Sequence, residues 1–334
     1  MNFFKNPNYD FVRWRWHAIV LSLIVVLAGM SLIATRGLQK GVDFEGGTIV
    51  ILKFDQAPDL PRIRGALASG MPGGGDAVVQ NYGTPESQTV MIRVRRTGQE
   101  VGGDLSKEVD AIVAALKQGN AGSFKLPAEG TEIVGPVVGK QLRRQGILAT
   151  VLALVGILAY IALRFQLSFA VGAIAATLHD LLICLAFLAF FQYDMTLNVV
   201  AGLLTITGYS VNDTIVIFDR VRENTRNRSA RGLPLATIVN HAVNQTLSRT
   251  VITAGTTLLS VIALYLFGGE VLKGFAFTML VGIISGTYST VLIAAAIAIM
   301  LQGRKPLKGQ VVVTTQAPET RKSDARKPGR RRAS

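Results

Sequence analysis

The chain has 334 residues, of which 49% are hydrophobic and 17% charged, and its formal net charge is +14. So apolar a balance excludes a single water-soluble domain, because that much apolar surface has to meet something other than water. The basic excess gathers in 220–231 and 304–332, while acids and bases nearly cancel between 36 and 144. That distribution fits the basic bias of membrane-flanking segments and argues against a nucleic-acid partner.

In chain order, Lys5, Arg13 and Arg15 precede an apolar run over 16–35. The run is longer than a typical signal core and ends without a small-residue cleavage pattern, which predicts an uncleaved membrane anchor with residues 1–15 on the cytoplasmic side and a first span at 16–36. From 37 to 140 the hydropathy falls and the pattern becomes that of a compact α+β domain. Strands are predicted at 47–54, 76–80, 88–95 and 131–134, and helices at 61–68 and 105–116. The order β-α-β-β-α-β matches the ferredoxin-like, split motif. The glycine run at 73–75 reads as a loop, since it lacks the Lys-Ser/Thr and the strand–loop–helix context of a phosphate cradle.

Five more spans are predicted at 146–163, 168–191, 196–218, 250–267 and 274–301, each long enough to cross a hydrocarbon core of about 30 Å. They form a membrane region over 141–302 with a cytoplasmic loop at 219–249. Within that loop 234–243 is apolar but too short to span, which predicts a separate amphipathic helix on the membrane surface. The segment 303–334 reads as a basic, disordered cytoplasmic tail that can meet anionic lipid. The fold class is thus a polytopic α-helical membrane protein with six transmembrane helices and one α+β domain between the first two.

Ionisable groups inside apolar spans carry the functional signal, because a charge at the bilayer centre costs at least ~2.5 kcal/mol. Asp180, beside His179, lies midway along the third span. Asp213 lies in the fourth, about five residues or ~8 Å from its inner end, among Ser210, Asn212 and Thr214. Arg249 starts the fifth span from that same side, so Asp213 and Arg249 can meet if the two helices pack together. A cation favours an ionised carboxyl and desolvation a neutral one, so relative movement of the helices can switch Asp213 between holding and releasing a proton. His179 and Asp180 read equally as a proton relay or as a self-satisfied pair. Gly282 and Gly286 have the small-xxx-small spacing of close helix packing, and Gly202 and Gly208 read the same way. Cys184 has no intrachain partner, which excludes a disulfide, and His17, His179 and His241 are too far apart in sequence for a metal site.

These residues carry a family resemblance. The run 41–48 (GVDFEGGT), with Asp43, Gly46 and Gly47, resembles the Asp-x-x-Gly-Gly signature of the SecD/SecF family. The run 208–224 (GYSVNDTIVIFDRVREN) is similar to that family's fourth span, and 244–250 (NQTLSRT) to the approach to its fifth. The short outer domain favours the SecF side over SecD. The resemblance implies membership of the resistance–nodulation–division superfamily and a place in the bacterial inner membrane, with a periplasmic domain and both termini cytoplasmic. It implies a heterodimer with SecD, the SecYEG channel as a partner, YajC and YidC as further candidates, and preproteins as substrate. The implied function is proton-motive-force-driven help in late preprotein export, with protons as coupling ion, no other cofactor, and no catalytic residue. On that resemblance Asp213 is the proton-linked carboxylate and Arg249 the functional arginine. Asp43 to Gly47 reads as a structural turn. A superfamily half-transporter for a small molecule or lipid, and a passive scaffold of the export complex, are the competing readings.

Overall fold

The computed structural model describes residues 7–83, 87–94, 106–134, 136–226 and 232–302. The predicted tail at 303–334 lies outside the described residues, as do parts of the predicted loop at 219–249 and of the predicted ends of the third strand and second helix.

Among the described residues, six helices are long and apolar enough to cross a membrane. They are α1 (Arg15–Arg36), α5 (Pro136–Arg164), α6 (Leu167–Phe190), α7 (Leu197–Arg226), α8 (Leu235–Phe267) and a last one in three parts. Its parts are α9 (Glu270–Ser289), one π-helical stretch at Thr290–Ala294, and α10 (Ala295–Gln302). Helices suit this setting because each satisfies its backbone polar groups internally, where no water is available to do so. α7 packs most extensively on α9, with α6 and α8 beside them, while α1 leans on α6 and α5 lies almost unburied at the edge.

Between α1 and α5 sits the small α+β domain. Its elements run α2 (Val42–Glu45), β1 (Gly47–Lys53), α3 (Leu60–Gly70), β2 (Val78–Tyr82), β3 (Thr89–Val94), α4 (Ser106–Gln118) and β4 (Gly130–Val134). The sheet order is β2-β3-β1-β4 with every neighbouring pair antiparallel. Alternation explains the sheet: Val50, Leu52, Val90 and Ile92 turn to one face and pack against Ile63 and Leu67 of α3 and Ile112 and Leu116 of α4. The Asp59 side chain accepts from the Arg62 amide and so caps α3, and Pro61 fits its first turn.

This domain is tied to the bundle at one end. Lys40 forms a parallel bridge with Met195, and Gly41 N donates to Met195 O at 2.8 Å. The Asp43 carboxylate accepts from Leu197 N at 2.8 Å, placing a negative charge at the start of α7, where the helix dipole favours it. Gly46 and Gly47 follow at φ 77° and 146°, backbone that side-chain-bearing residues rarely adopt. From β3, the buried Arg93 pairs with Asp194 and donates to Lys40 O at 3.1 Å. Removing that guanidinium leaves Asp194 without its cation, so Arg93→Ala is expected to loosen the outer domain on the bundle without unfolding either. Faster limited proteolysis of the 36–42 connection checks this, and an unchanged rate would refute it.

Two sequence expectations are corrected at the opposite end. No separate surface helix exists at 234–243: that segment opens α8, which runs unbroken into the fifth span, because 244–249 contains neither Gly nor Pro to stop it. The loop predicted at 219–249 shrinks correspondingly, since α7 continues to Arg226. Arg220 and Asn224 both donate to Gln245 Oε1, at 2.7 and 2.9 Å, joining the two extensions side by side.

Candidate functional site

The longer α8 changes the depth of Arg249. It stands near the middle of the helix and not at its start, level with the middle of α7, where Asp213 lies. α7 and α8 do pack together. The side chain that reaches Asp213 is nevertheless Thr250, whose hydroxyl donates to Oδ1 at 3.3 Å. Successive helical residues point about 100° apart, so with Thr250 facing inward Arg249 turns outward. Arg249 is exposed on the bundle surface, and among the described residues it forms no ion pair. Asp213 is therefore buried, at 8% exposure, with one long neutral hydrogen bond.

Asp180 has the opposite surroundings. At 1% exposure it accepts from Ser210 of α7 at 2.6 Å, and from Ser285 and Ser289 of α9 at 2.7 Å each. His179 Nδ1 lies 3.1 Å from its Oδ1, while the other ring nitrogen is buried without a partner. One carboxyl thus gathers three hydroxyls from two other helices, which meets the cost of its burial and fixes α6, α7 and α9 relative to one another.

The polar residues expected around Asp213 are accordingly redistributed. Ser210 serves Asp180, Thr214 meets Thr290 of the π-helical stretch at 3.1 Å, and Asn212 is exposed with no hydrogen bond among the described residues. The expected glycine packing divides as well. A methyl at Gly202 would stand 3.2 Å from the Thr278 side chain and one at Gly286 3.3 Å from Ser210, and Ile206 fills the space beside Gly282. Gly208 is the correction: among the described residues nothing lies within 4 Å of where its Cβ would stand, and it is on the exposed face of α7.

That face continues a pattern the sequence reading missed. Thr205, Gly208 and Asn212 on α7, and Arg249, Thr253, Thr256 and Ser260 on α8, are exposed at helical spacing, so two neighbouring spans turn polar stripes outward. Thr253, Thr256 and Ser260 return their hydroxyls to their own helix carbonyls, as such residues do in apolar surroundings. Arg249 has no such recourse. Ser285, Ser289, Thr250 and Thr290 were missed too: hydroxyl residues are common in spans, and only the i, i+4 pair Ser285 and Ser289 in an apolar helix hinted at a shared partner.

Among the described residues, six spans, two buried carboxyls and one small α+β domain fastened at one end define a multi-pass membrane protein built around buried ionisable groups. Residues 112–304 match the family described as protein export membrane protein SecD/SecF, C-terminal, and residues 31–58 match the SecD/SecF GG motif. The chain is 42% identical to the protein translocase subunit SecF of Vibrio alginolyticus over 291 residues, covering 87% of this chain and 89% of that one. With the Pseudomonas aeruginosa protein of the same name it shares 40% identity over 318 residues, covering 95% and 97%. The crystal structure of SecDF from Thermus thermophilus superposes with a TM-score of 0.77 at 32% identity, over 90% of this chain. This chain spans only 39% of the length of that SecDF chain. The chain belongs to the SecD/SecF family of protein-export membrane proteins, on its SecF side.

Proposed function

We propose that this chain is a Sec translocase subunit that works with SecD to turn the proton-motive force into late-stage preprotein export. In this reading it lies in the bacterial inner membrane with both termini cytoplasmic and the α+β domain periplasmic. Asp213 takes up and releases the proton, Arg249 biases its charge state, and α7 moves as that balance changes. Asp180, bonded to Ser210 of α7, is the pivot about which α7 tilts. The outer domain, tied to α7 through Asp43 and to the α6–α7 connection through Arg93, follows the helix and hinders backsliding of an emerging preprotein.

The observation that carries this reading is the pairing of an under-satisfied buried carboxyl with an outward-facing arginine one residue along from its only hydrogen-bond donor among the described residues. An arginine on the outer face of a span, with no ion pair among the described residues, and two polar stripes are costly against lipid, which supports SecD as the body that covers α7 and α8. SecYEG, YajC and YidC are the further proposed neighbours.

Co-purification after mild detergent extraction tests the assembly. The expected result is that SecD and SecY accompany the chain. A homotrimer lacking both would instead favour a superfamily exporter of small molecules or lipids.

A further inference from the structure

The amino-terminal end of α1 combines features that ordinary helix chemistry leaves unbalanced. Its first turn contains no acidic residue, and no side chain caps it. Instead Arg13 and Arg15 stand at the positive end of the helix dipole, where cations are unfavourable and an anion is welcome. Arg15 Nε is buried and without a hydrogen-bond partner. Asp10, the nearby acid, spends one oxygen on the Arg13 amide at 3.1 Å.

These groups line a cavity. The segment before α1 lies along α8, where Asn244 Oδ1 accepts from Tyr9 N at 2.9 Å and Asn240 Oδ1 accepts from Phe11 N at 3.0 Å. Both asparagine amides also donate to Tyr9 O. Beside the clasp lies an open hollow of about 400 Å³ lined by Arg13, Arg15, Trp16, Thr237 and Asn240 together with Asp10. Trp16 is also one wall of a second, shallow hollow of about 420 Å³ running along the outer face of α1 past His17, Val20, Leu21 and Ile24. A polar, cationic hollow thus meets, at Trp16, a shallow and open apolar channel that runs about two turns along the outer face of α1.

We propose that this is a binding site for an anionic glycerophospholipid. Its headgroup phosphate sits between Arg13 and Arg15 at the first turn of α1, and an acyl chain follows the channel beside Trp16. The chemistry of the cationic half suits any phosphate. The apolar half, joined to it through Trp16, selects a lipid over a free phosphate. The exposed Trp14 and Trp16 set the depth, since tryptophan favours the headgroup level. The proposal rests on membrane residence alone and is independent of proton coupling.

The chain contains 2 tryptophans, both at this site, so their fluorescence reads occupancy directly. The full chain is reconstituted in phosphatidylcholine vesicles and titrated with phosphatidylglycerol carrying brominated acyl chains, which quench nearby tryptophan. Quenching is expected to exceed that by brominated phosphatidylcholine at the same mole fraction. Arg13→Gln and Arg15→Gln should each weaken the preference about fivefold, as loss of one basic side chain near an anionic surface does. Arg15→Lys, which keeps the charge, should retain most of it, and Arg222→Gln, an exposed arginine elsewhere, should leave it intact. An equal loss in Arg222→Gln would mean diffuse attraction to the surface and overturn the site. So would the absence of a phosphatidylglycerol preference in the unaltered chain. Displacement of the brominated lipid by millimolar inorganic phosphate would assign the cavity to a soluble anion and overturn the lipid.

Discussion

Replacing Asp213 by asparagine is expected to abolish the increment of export that depends on a proton gradient, down to the level of membranes lacking this chain. The substitution preserves shape and keeps an oxygen to accept from Thr250, so the α7–α8 contact survives. What it removes is the ability to exchange a proton in a buried position, and that is the whole content of the coupling proposal. Arg249→Gln should produce the same loss through the other member, because it withdraws the positive charge that stands one residue along from Thr250, the donor to Asp213. Arg249→Lys should restore part of it, since this charge acts through space and not through a guanidinium fork. The measurement is translocation of a preprotein into inverted membrane vesicles, with and without an imposed gradient, alongside recovery of the complex from the same membranes. Undiminished gradient-dependent export with Asp213→Asn would leave a passive scaffold as the better description.

Sequence reasoning located the two carboxyls for a sound physical reason: a charge in a span is costly wherever it points, so its presence alone is informative. Which neighbour it meets depends on rotation about the helix axis, and one residue of rotation exchanges Thr250 for Arg249. Hydropathy carries no information on that scale. The α+β domain was legible because period-two alternation in 47–53 and 89–94 and helical spacing in 106–118 are both strong local signals. The ends of α7 and α8 were not, since hydropathy marks where lipid stops and not where a helix stops. The residues at 219–226 are mostly polar yet contain neither Gly nor Pro, Arg220, Arg222, Glu223 and Arg226 among them are good helix formers, and the turn signal Gly232 and Pro234 comes only afterwards. The Arg93–Asp194 pair joins a strand to a connection about a hundred residues away, and neither residue stands out among ordinary surface charges.

Asp180 is where stability and proton coupling come apart. Asp180→Ala removes the acceptor shared by Ser210, Ser285 and Ser289 and opens a void between three helices. Each hydroxyl can partly turn back to its own helix, as Ser289 already does toward Gly286 O at 3.2 Å, which limits the penalty. A loss of about 2–4 kcal/mol is therefore expected, the range for orphaning buried polar groups beside a small cavity. Asp180→Asn keeps one oxygen and supplies an amide that a rotated serine hydroxyl can accept, so it should cost only about 1 kcal/mol. Thermal unfolding of the detergent-solubilised chain measures both. The same asparagine variant then separates fastener from relay. A fastener needs only hydrogen-bonding capacity, so gradient-driven export should persist in Asp180→Asn while it is lost in Asp213→Asn. If export is lost in a stable, assembled Asp180→Asn complex, the proton must pass through Asp180 as well, and His179 Nδ1, 3.1 Å from its Oδ1, becomes its next acceptor.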